Sequence, residues 1–389
     1  MIKSDRKDYI LSFAILFPTV VLMLQQLLLG INFMPNETLK TYNIILSSLP
    51  LIYSFKIVVN RNLRLLLFTY IIFILLLLFS YNNYNNRNYI LNESFFLLFI
   101  SIPIFLSAAS IKNIEILKDV LLKISFIILI IGVFIFVYIL TGKVNFTVYN
   151  MALSYYLLLP TLVFIYQEKS IYKLLSALSL LIILLLGSRG PFIIALFYYA
   201  IIFLLSTKFN SPKSYISIIL LISILFFIIN IDTGALLNFV ESVLGINSRT
   251  LSLLISGKID YDAGRNEITK TVIDNILNSN AWGFGIYGDR PLLDGTYAHN
   301  IFLEVLIDFG LVLGTLILLL FIVFMIKVFL SSKDKTLFLL FFSLGFLPLL
   351  ASGSYLKSIE FSILIGFLIL TKKTKNGCKS LPLHNSTQH

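Results

Sequence analysis

The stretch Leu63–Ser80 reads LRLLLFTYIIFILLLLFS, and it decides the fold. With its flanks it is long enough for a hydrocarbon core of ~30 Å, which a helix of about 20 predominantly apolar residues crosses. Inside lipid every backbone N–H and C=O must be satisfied within the structure, so an unbroken apolar run of this length is a helix. A barrel strand would show segments of about ten residues alternating apolar and polar, and that alternation is missing. Phe126–Leu140 and Leu316–Phe329 repeat the pattern.

The whole chain agrees with these three runs. Hydrophobic residues make up 58% of it and charged residues 13%, with a mean hydropathy of +0.94. A soluble globule carries roughly 25% charged residues, so this chain cannot cover a water-facing surface. The expectation is an all-α polytopic membrane protein of about twelve transmembrane helices. They are placed at 10–30, 40–59, 64–80, 93–110, 119–140, 148–166, 171–187, 191–206, 214–230, 298–326, 335–350 and 355–371. The first run follows Lys3, Arg6 and Lys7 but has spanning length and no small-residue cleavage site, so it reads as a retained helix. Residues 1–371 then form a single transmembrane domain with a large extracytoplasmic loop at 231–297, and 372–389 a cytoplasmic polar tail.

Charge sets the orientation. The net charge of +11 is spread over short clusters between apolar runs, with no basic stripe for tracking phosphates, so no nucleic-acid partner is expected. With both termini in the cytoplasm, each short inner connection carries more Lys and Arg than each short outer one, as the positive-inside rule requires. The inner clusters are mostly Lys. The outer side holds Arg87, Arg189, Arg249, Arg265 and Arg290 beside a similar number of lysines. Topology is indifferent to Lys against Arg, whereas a phosphate or carboxylate favours the planar guanidinium fork; chance in a small sample is the competing account. The lone Cys378 rules out a disulfide framework and a cysteine metal site.

Four motifs carry chemistry. Gly187-Ser-Arg189-Gly-Pro191 is a tight outer hairpin whose second arm starts a helix, and free N–H groups there favour an anion. Arg189 reads equally as a phosphate grip or as a side chain snorkelling to headgroups. In the long loop, Gly264-Arg265 opens a stretch with Ile268, Val272, Ile276 and Leu277 on one face, an amphipathic helix expected at the membrane interface; Ala235–Leu244 is a second candidate. Gly283-Phe-Gly285-Ile-Tyr-Gly288 matches a dinucleotide fingerprint literally, but Pro291 and a further turn follow where a helix is needed. A flexible active-site loop is the better reading. His299, in Tyr297-Ala-His299-Asn300, stands where the loop enters a helix and can take a proton near pH 7 without a large shift; a purely structural histidine is the alternative. Asn300, Glu304 and Asp308 follow at i, i+4 and i+8 and, with Glu360, suggest a polar pocket open to the outside. No His, Asp or Glu grouping has metal-ligand spacing, so no metal or other cofactor is expected.

Taken together, GSRGP at 187–191, Gly264-Arg265, Trp282-Gly-Phe-Gly285 and AHNIFLEVLIDFGLVLG at 298–314 resemble the O-antigen polymerase/O-antigen ligase superfamily of bacterial integral membrane glycosyltransferases, over about residues 150–371. The resemblance implies a GT-C-like fold in the bacterial inner membrane. It implies an undecaprenyl-pyrophosphate-linked glycan as donor and another glycan as acceptor, with membrane lipid and a chain-length regulator as further partners. Inversion at the anomeric carbon without a metal is also implied. Carried over by residue, Arg189 and Arg265 bind the pyrophosphate, with Arg290 a further candidate, and His299 deprotonates the acceptor hydroxyl. Tyr297, Asn300 and Glu304 support them. The motifs leave open whether the chain is a polymerase or a ligase; the modest outer loop leans to the polymerase. The rival from another class is a transporter, such as a lipid-linked oligosaccharide flippase. Transporters usually show pseudo-repeated halves, and none are visible here.

Overall fold

The structure, a computed structural model, describes residues 3–141, 151–167, 169–186, 188–206, 265–278 and 282–377. All regular elements among these residues are helical. The chain runs through α1 (Lys3–Gly30), α2 (Asn36–Tyr81), α3 (Arg87–Phe96), a π turn (Leu97–Ser101) and α4 (Ile102–Ala108). It continues through α5 (Ile114–Leu140), α6 (Met151–Ile165), α7 (Ser170–Leu185), α8 (Arg189–Ser206), α9 (Arg265–Asn278), α10 (Ile301–Ser331), α11 (Lys335–Gly345) and α12 (Ile359–Gly377). Helix 214–230, the possible helix Ala235–Leu244, Gly187, Gly264 and the end of the polar tail lie outside the described residues.

Among the described residues, five helical stretches are long and apolar enough to cross a membrane: Asp5–Gly30, Thr38–Tyr81, Arg87–Ala108, Ile114–Leu140 and Ile301–Ser331. Shorter apolar helices follow at Met151–Ile165, Ser170–Leu185, Arg189–Leu205, Lys335–Leu350 and Ile359–Thr371. The protein is therefore a multi-pass, all-helical membrane protein. The expected helices 40–59 and 64–80 run together as α2, interrupted where Asn62 leaves helical geometry (φ −144°, ψ 39°). The Asn62 amide bridges that break to Ala109 O at 3.2 Å and Ser110 Oγ at 2.6 Å. Beside it, Arg61 pairs with Asp8 and donates to Ser110 O.

The helices divide into two compact units. One contains residues 18–46 and 121–267. Its α6, α7 and α8 pack on one another and are stitched by hydroxyls. Thr161 donates to Ser179 Oγ at 2.8 Å, Ser179 is bonded to Leu157 O at 3.1 Å, and Ser176 Oγ lies 2.7 Å from Tyr199 Oη. In a lipid setting, where apolar helices have no reason to prefer each other over acyl chains, such bonds add specificity.

The other unit contains residues 1–17, 47–120 and 268–389. Here α12 packs on α4 and α11. A methyl added at Gly366 would fall 2.5 Å from Ala108 Cβ and from Phe105 O, so the backbones of α4 and α12 meet through a small residue, as membrane helices commonly do. The same unit carries the end of the long loop.

Candidate active site

The site begins at a break in α10. Gly310 takes φ 77° and ψ 170°, a conformation that interrupts the helix nine residues after its start and that glycine enters without steric cost. The break releases the carbonyls of Ile307 and Asp308, which in a membrane helix must find new donors. The glycine-rich loop supplies them: Phe284 N–H donates to Ile307 O at 2.9 Å and Gly285 N–H to Asp308 O at 2.8 Å. Such close approach requires Gly283, whose φ is +70° and whose added methyl would fall 2.3 Å from Gly310 N. Two motifs far apart in sequence, Trp282-Gly-Phe-Gly285 and the glycine of α10, are thus one joint.

The end of α2 and the loop that follows it hold the same joint through Ser80, Asn83 and Asn86. Asn86 and Asn83 amides donate to Phe284 O at 2.7 and 3.3 Å, and Ser80 Oγ accepts from Ile286 N–H at 2.8 Å. Below it, Val272 and Ile276 of α9 pack with Leu293, Ala298 and Ile307 in an apolar cluster. Val272 and Ile276 of α9 therefore cover the joint, while Leu277 stays exposed. The loop differs from the flexible one expected: Gly285 through Arg290 are all buried.

Its deepest member is Arg290, 1% exposed. The guanidinium donates to Asp289 Oδ2 at 2.5 Å, Glu304 Oε1 at 3.2 Å and Ser354 Oγ at 3.0 Å, and its Nε lies 3.5 Å from Glu93 Oε2. Glu93 also pairs with Lys357 at 2.9 Å. Ser354 in turn donates to Glu304, Tyr355 N–H donates to Glu304 Oε2 at 3.1 Å, and Tyr355 Oη donates to Asp308 Oδ2 at 2.7 Å. Asp308 Oδ1 accepts from Gly288 N–H at 3.1 Å. The stripe Asn300–Glu304–Asp308 thus faces a closed lattice and not an open pocket, because each acid is matched by donors from the loop and from residues 354–355.

Burial and charge act together here. Loss of water pushes the Asp289 carboxyl up, against the opposing pull of Arg290 and the Ala298 N–H. Burial also opposes the Arg290 charge, yet Asp289, Glu304 and Glu93 hold its guanidinium above its ordinary range. Burial, and then the nearby acids, push the Tyr287 and Tyr355 phenols up, so both stay protonated, and Tyr355 is the donor to Asp308.

His299 lies at the exit of this lattice, half-buried, with φ +55°. Its ring centroid is 4.2 Å from that of Tyr297, over whose ring the Arg290 guanidinium sits at 5.5 Å. Asn300 caps α10, its Oδ1 accepting from Phe302 N–H at 2.9 Å and Leu303 N–H at 3.4 Å, while its amide donates to Leu350 O at 3.2 Å. Arg290, Tyr297, His299, Asn300 and Glu304 are therefore brought together in one unit. Arg189 and Arg265 belong to the other unit, where each is the first residue of a helix, α8 and α9, and each is half-buried. Next to Arg189, an added methyl at Gly190 would fall 2.6 Å from Tyr155 Oη.

Sequence reasoning did not find Asp289, Tyr287, Glu93, Ser354 or Tyr355. Glu93 carried the clearest signal, as an acid inside an apolar segment.

No curated protein matches the chain, and no solved structure matches it. A family model described as O-Antigen ligase matches residues 174–319, from within α7 to the middle of α10, and takes in Arg189, Arg265, Arg290 and His299. Members of that family are glycosyltransferase-like membrane enzymes of O-antigen ligation and polymerisation. The hairpin, the loop glycines and the head of α10 all fall inside the match, which supports a kinship of this segment with the O-antigen polymerase/ligase superfamily.

Proposed function

We propose that the protein is a membrane glycosyltransferase that polymerises undecaprenyl-pyrophosphate-linked oligosaccharide repeat units into surface polysaccharide, O-antigen or capsule, on the extracytoplasmic face of the bacterial inner membrane. The observation that carries this reading is that one family match spans both helix-leading arginines and the histidine at the head of α10. In this reading about twelve helices form a single transmembrane domain over residues 1–371, oriented with both termini inside by the charge pattern.

The chemistry follows from the residue types. His299 accepts the proton of an acceptor hydroxyl. The oxygen attacks the anomeric carbon from the side opposite the leaving group, one C–O bond forms as another breaks, and the configuration inverts. Undecaprenyl pyrophosphate departs as an anion. Arg189 and Arg265 stabilise it without a metal, each combining a guanidinium with the free N–H groups of a helix start. Arg290 takes a different part from the one its sequence suggested. Its donors are occupied by carboxylates and Ser354, so it organises the loop and does not grip phosphate.

The second reading is an O-antigen ligase, which moves finished polymer to a lipid A core sugar; the description of the matching family favours it. A gel of surface polysaccharide from a deletion strain separates the readings. Single repeat units on lipid A core support the polymerase. Accumulated lipid-linked polymer supports the ligase. Repeat units trapped in the cytoplasm would point to a flippase and refute both.

A further inference from the structure

His299 holds a left-handed backbone conformation, which a residue with a side chain rarely adopts and which persists only where the surroundings enforce it. The enforcement is visible on both sides. After it, Asn300 is fixed by capping α10 and by its bond to Leu350 O. Before it, Ala298 N–H donates to Asp289 Oδ2 at 2.9 Å, the same oxygen that receives Arg290 at 2.5 Å. The imidazole itself rests against Tyr297, and the Tyr297 ring lies under the Arg290 guanidinium.

Asp289 and Arg290 are 0% and 1% exposed, so neither can touch a substrate. A buried ion pair is also a poor source of stability, because removing the charges from water costs about as much as their attraction returns. Where such a pair is kept, a unique arrangement is what it can supply. We infer that Asp289 and Arg290 are positioning residues for His299: Asp289 fixes the backbone before it, and Arg290 fixes the tyrosine ring that the imidazole leans on. This rests on His299 being the base proposed above.

The test uses the full-length protein in lipid nanodiscs, with lipid-linked oligosaccharide extracted from the deletion strain as donor. Asp289→Asn keeps an oxygen where the Ala298 N–H points, whereas Asp289→Leu removes it at similar volume. Misplacing a catalytic group by about 1 Å costs on the order of a hundredfold. Asp289→Leu is therefore expected to lower kcat by between ten- and a hundredfold while KM for the donor stays within about twofold, and Asp289→Asn to retain most of kcat. Tyr297→Leu, which leaves the buried pair intact, is expected to repeat the Asp289→Leu pattern and serves if that variant does not fold.

A readout independent of turnover is the rate at which diethyl pyrocarbonate modifies His299, followed by peptide mass spectrometry with His384 and His389 as references. It is expected to change several-fold in Asp289→Leu and in Tyr297→Leu. Unchanged kcat and modification rate in these variants, or a loss in Asp289→Asn as large as in Asp289→Leu, overturns the inference. Failure of the base reading shows separately, as wild-type kcat in His299→Ala.

Discussion

Gly283→Ala tests the joint between loop and helix. At φ +70° an added methyl would lie 2.3 Å from Gly310 N, 2.7 Å from Asp308 O and 2.8 Å from Asp308 C. All three are backbone atoms, so no side chain can rotate away and the loop must lift. The left-handed conformation costs a residue with a Cβ about 1–2 kcal/mol. Lifting the loop breaks the Phe284–Ile307 and Gly285–Asp308 bonds, each about 1 kcal/mol net and more if the freed carbonyls stay buried. The total is about 3–5 kcal/mol. Gly295→Ala is the matched control: its φ is +85°, but the nearest neighbour of the added methyl is the Tyr89 ring, at 3.5 Å, so only the backbone cost of about 1–2 kcal/mol applies. At about 2–4 °C per kcal/mol, the two variants should melt on the order of 5–10 °C apart, measured as loss of the monodisperse peak in size-exclusion chromatography after heating. Equal melting of the two variants would refute the joint.

Other expectations follow from the lattice and the helix starts. Arg290→Met leaves Asp289 and Glu304 buried without their cation, and is expected to destabilise by about 3–5 kcal/mol, seen as reduced membrane level and early melting. Tyr355→Phe removes one donor to Asp308 while Gly288 N–H keeps the other, a loss of about 1–2 kcal/mol in the same melting assay. Arg189→Lys and Arg265→Lys should each shorten or abolish the surface polysaccharide at normal protein level, because an ammonium cannot reproduce the guanidinium fork. Full-length polysaccharide from both would show that charge alone suffices.

The helical framework was legible because lipid allows few solutions: apolar runs such as Phe126–Leu140 have to be helices, and all expected helices within the described residues have counterparts. The break at Asn62 was also within reach, since Arg61, Asn62 and Arg64 interrupt an apolar stretch. The site was legible in outline through its rare residues, His299 and the arginines. Its construction was not. YNNYNNRN at 81–88 reads as low complexity, yet Asn83 and Asn86 hold the Phe284 carbonyl; an asparagine's partner some two hundred positions away leaves no local periodicity. Arg290 looked like its outer companions because a sequence displays charge and not burial. Ser354 and Tyr355 are ordinary residues until the fold turns them toward Glu304 and Asp308.

The central claim is that His299 performs proton transfer in glycan polymerisation. The most direct measurement is the surface-polysaccharide gel of a deletion strain complemented with His299→Ala, alongside its membrane protein level. With His299 as the base, that strain shows single repeat units and no chain extension, with as much protein in the membrane as the wild type. Wild-type-length polysaccharide from that strain would contradict it.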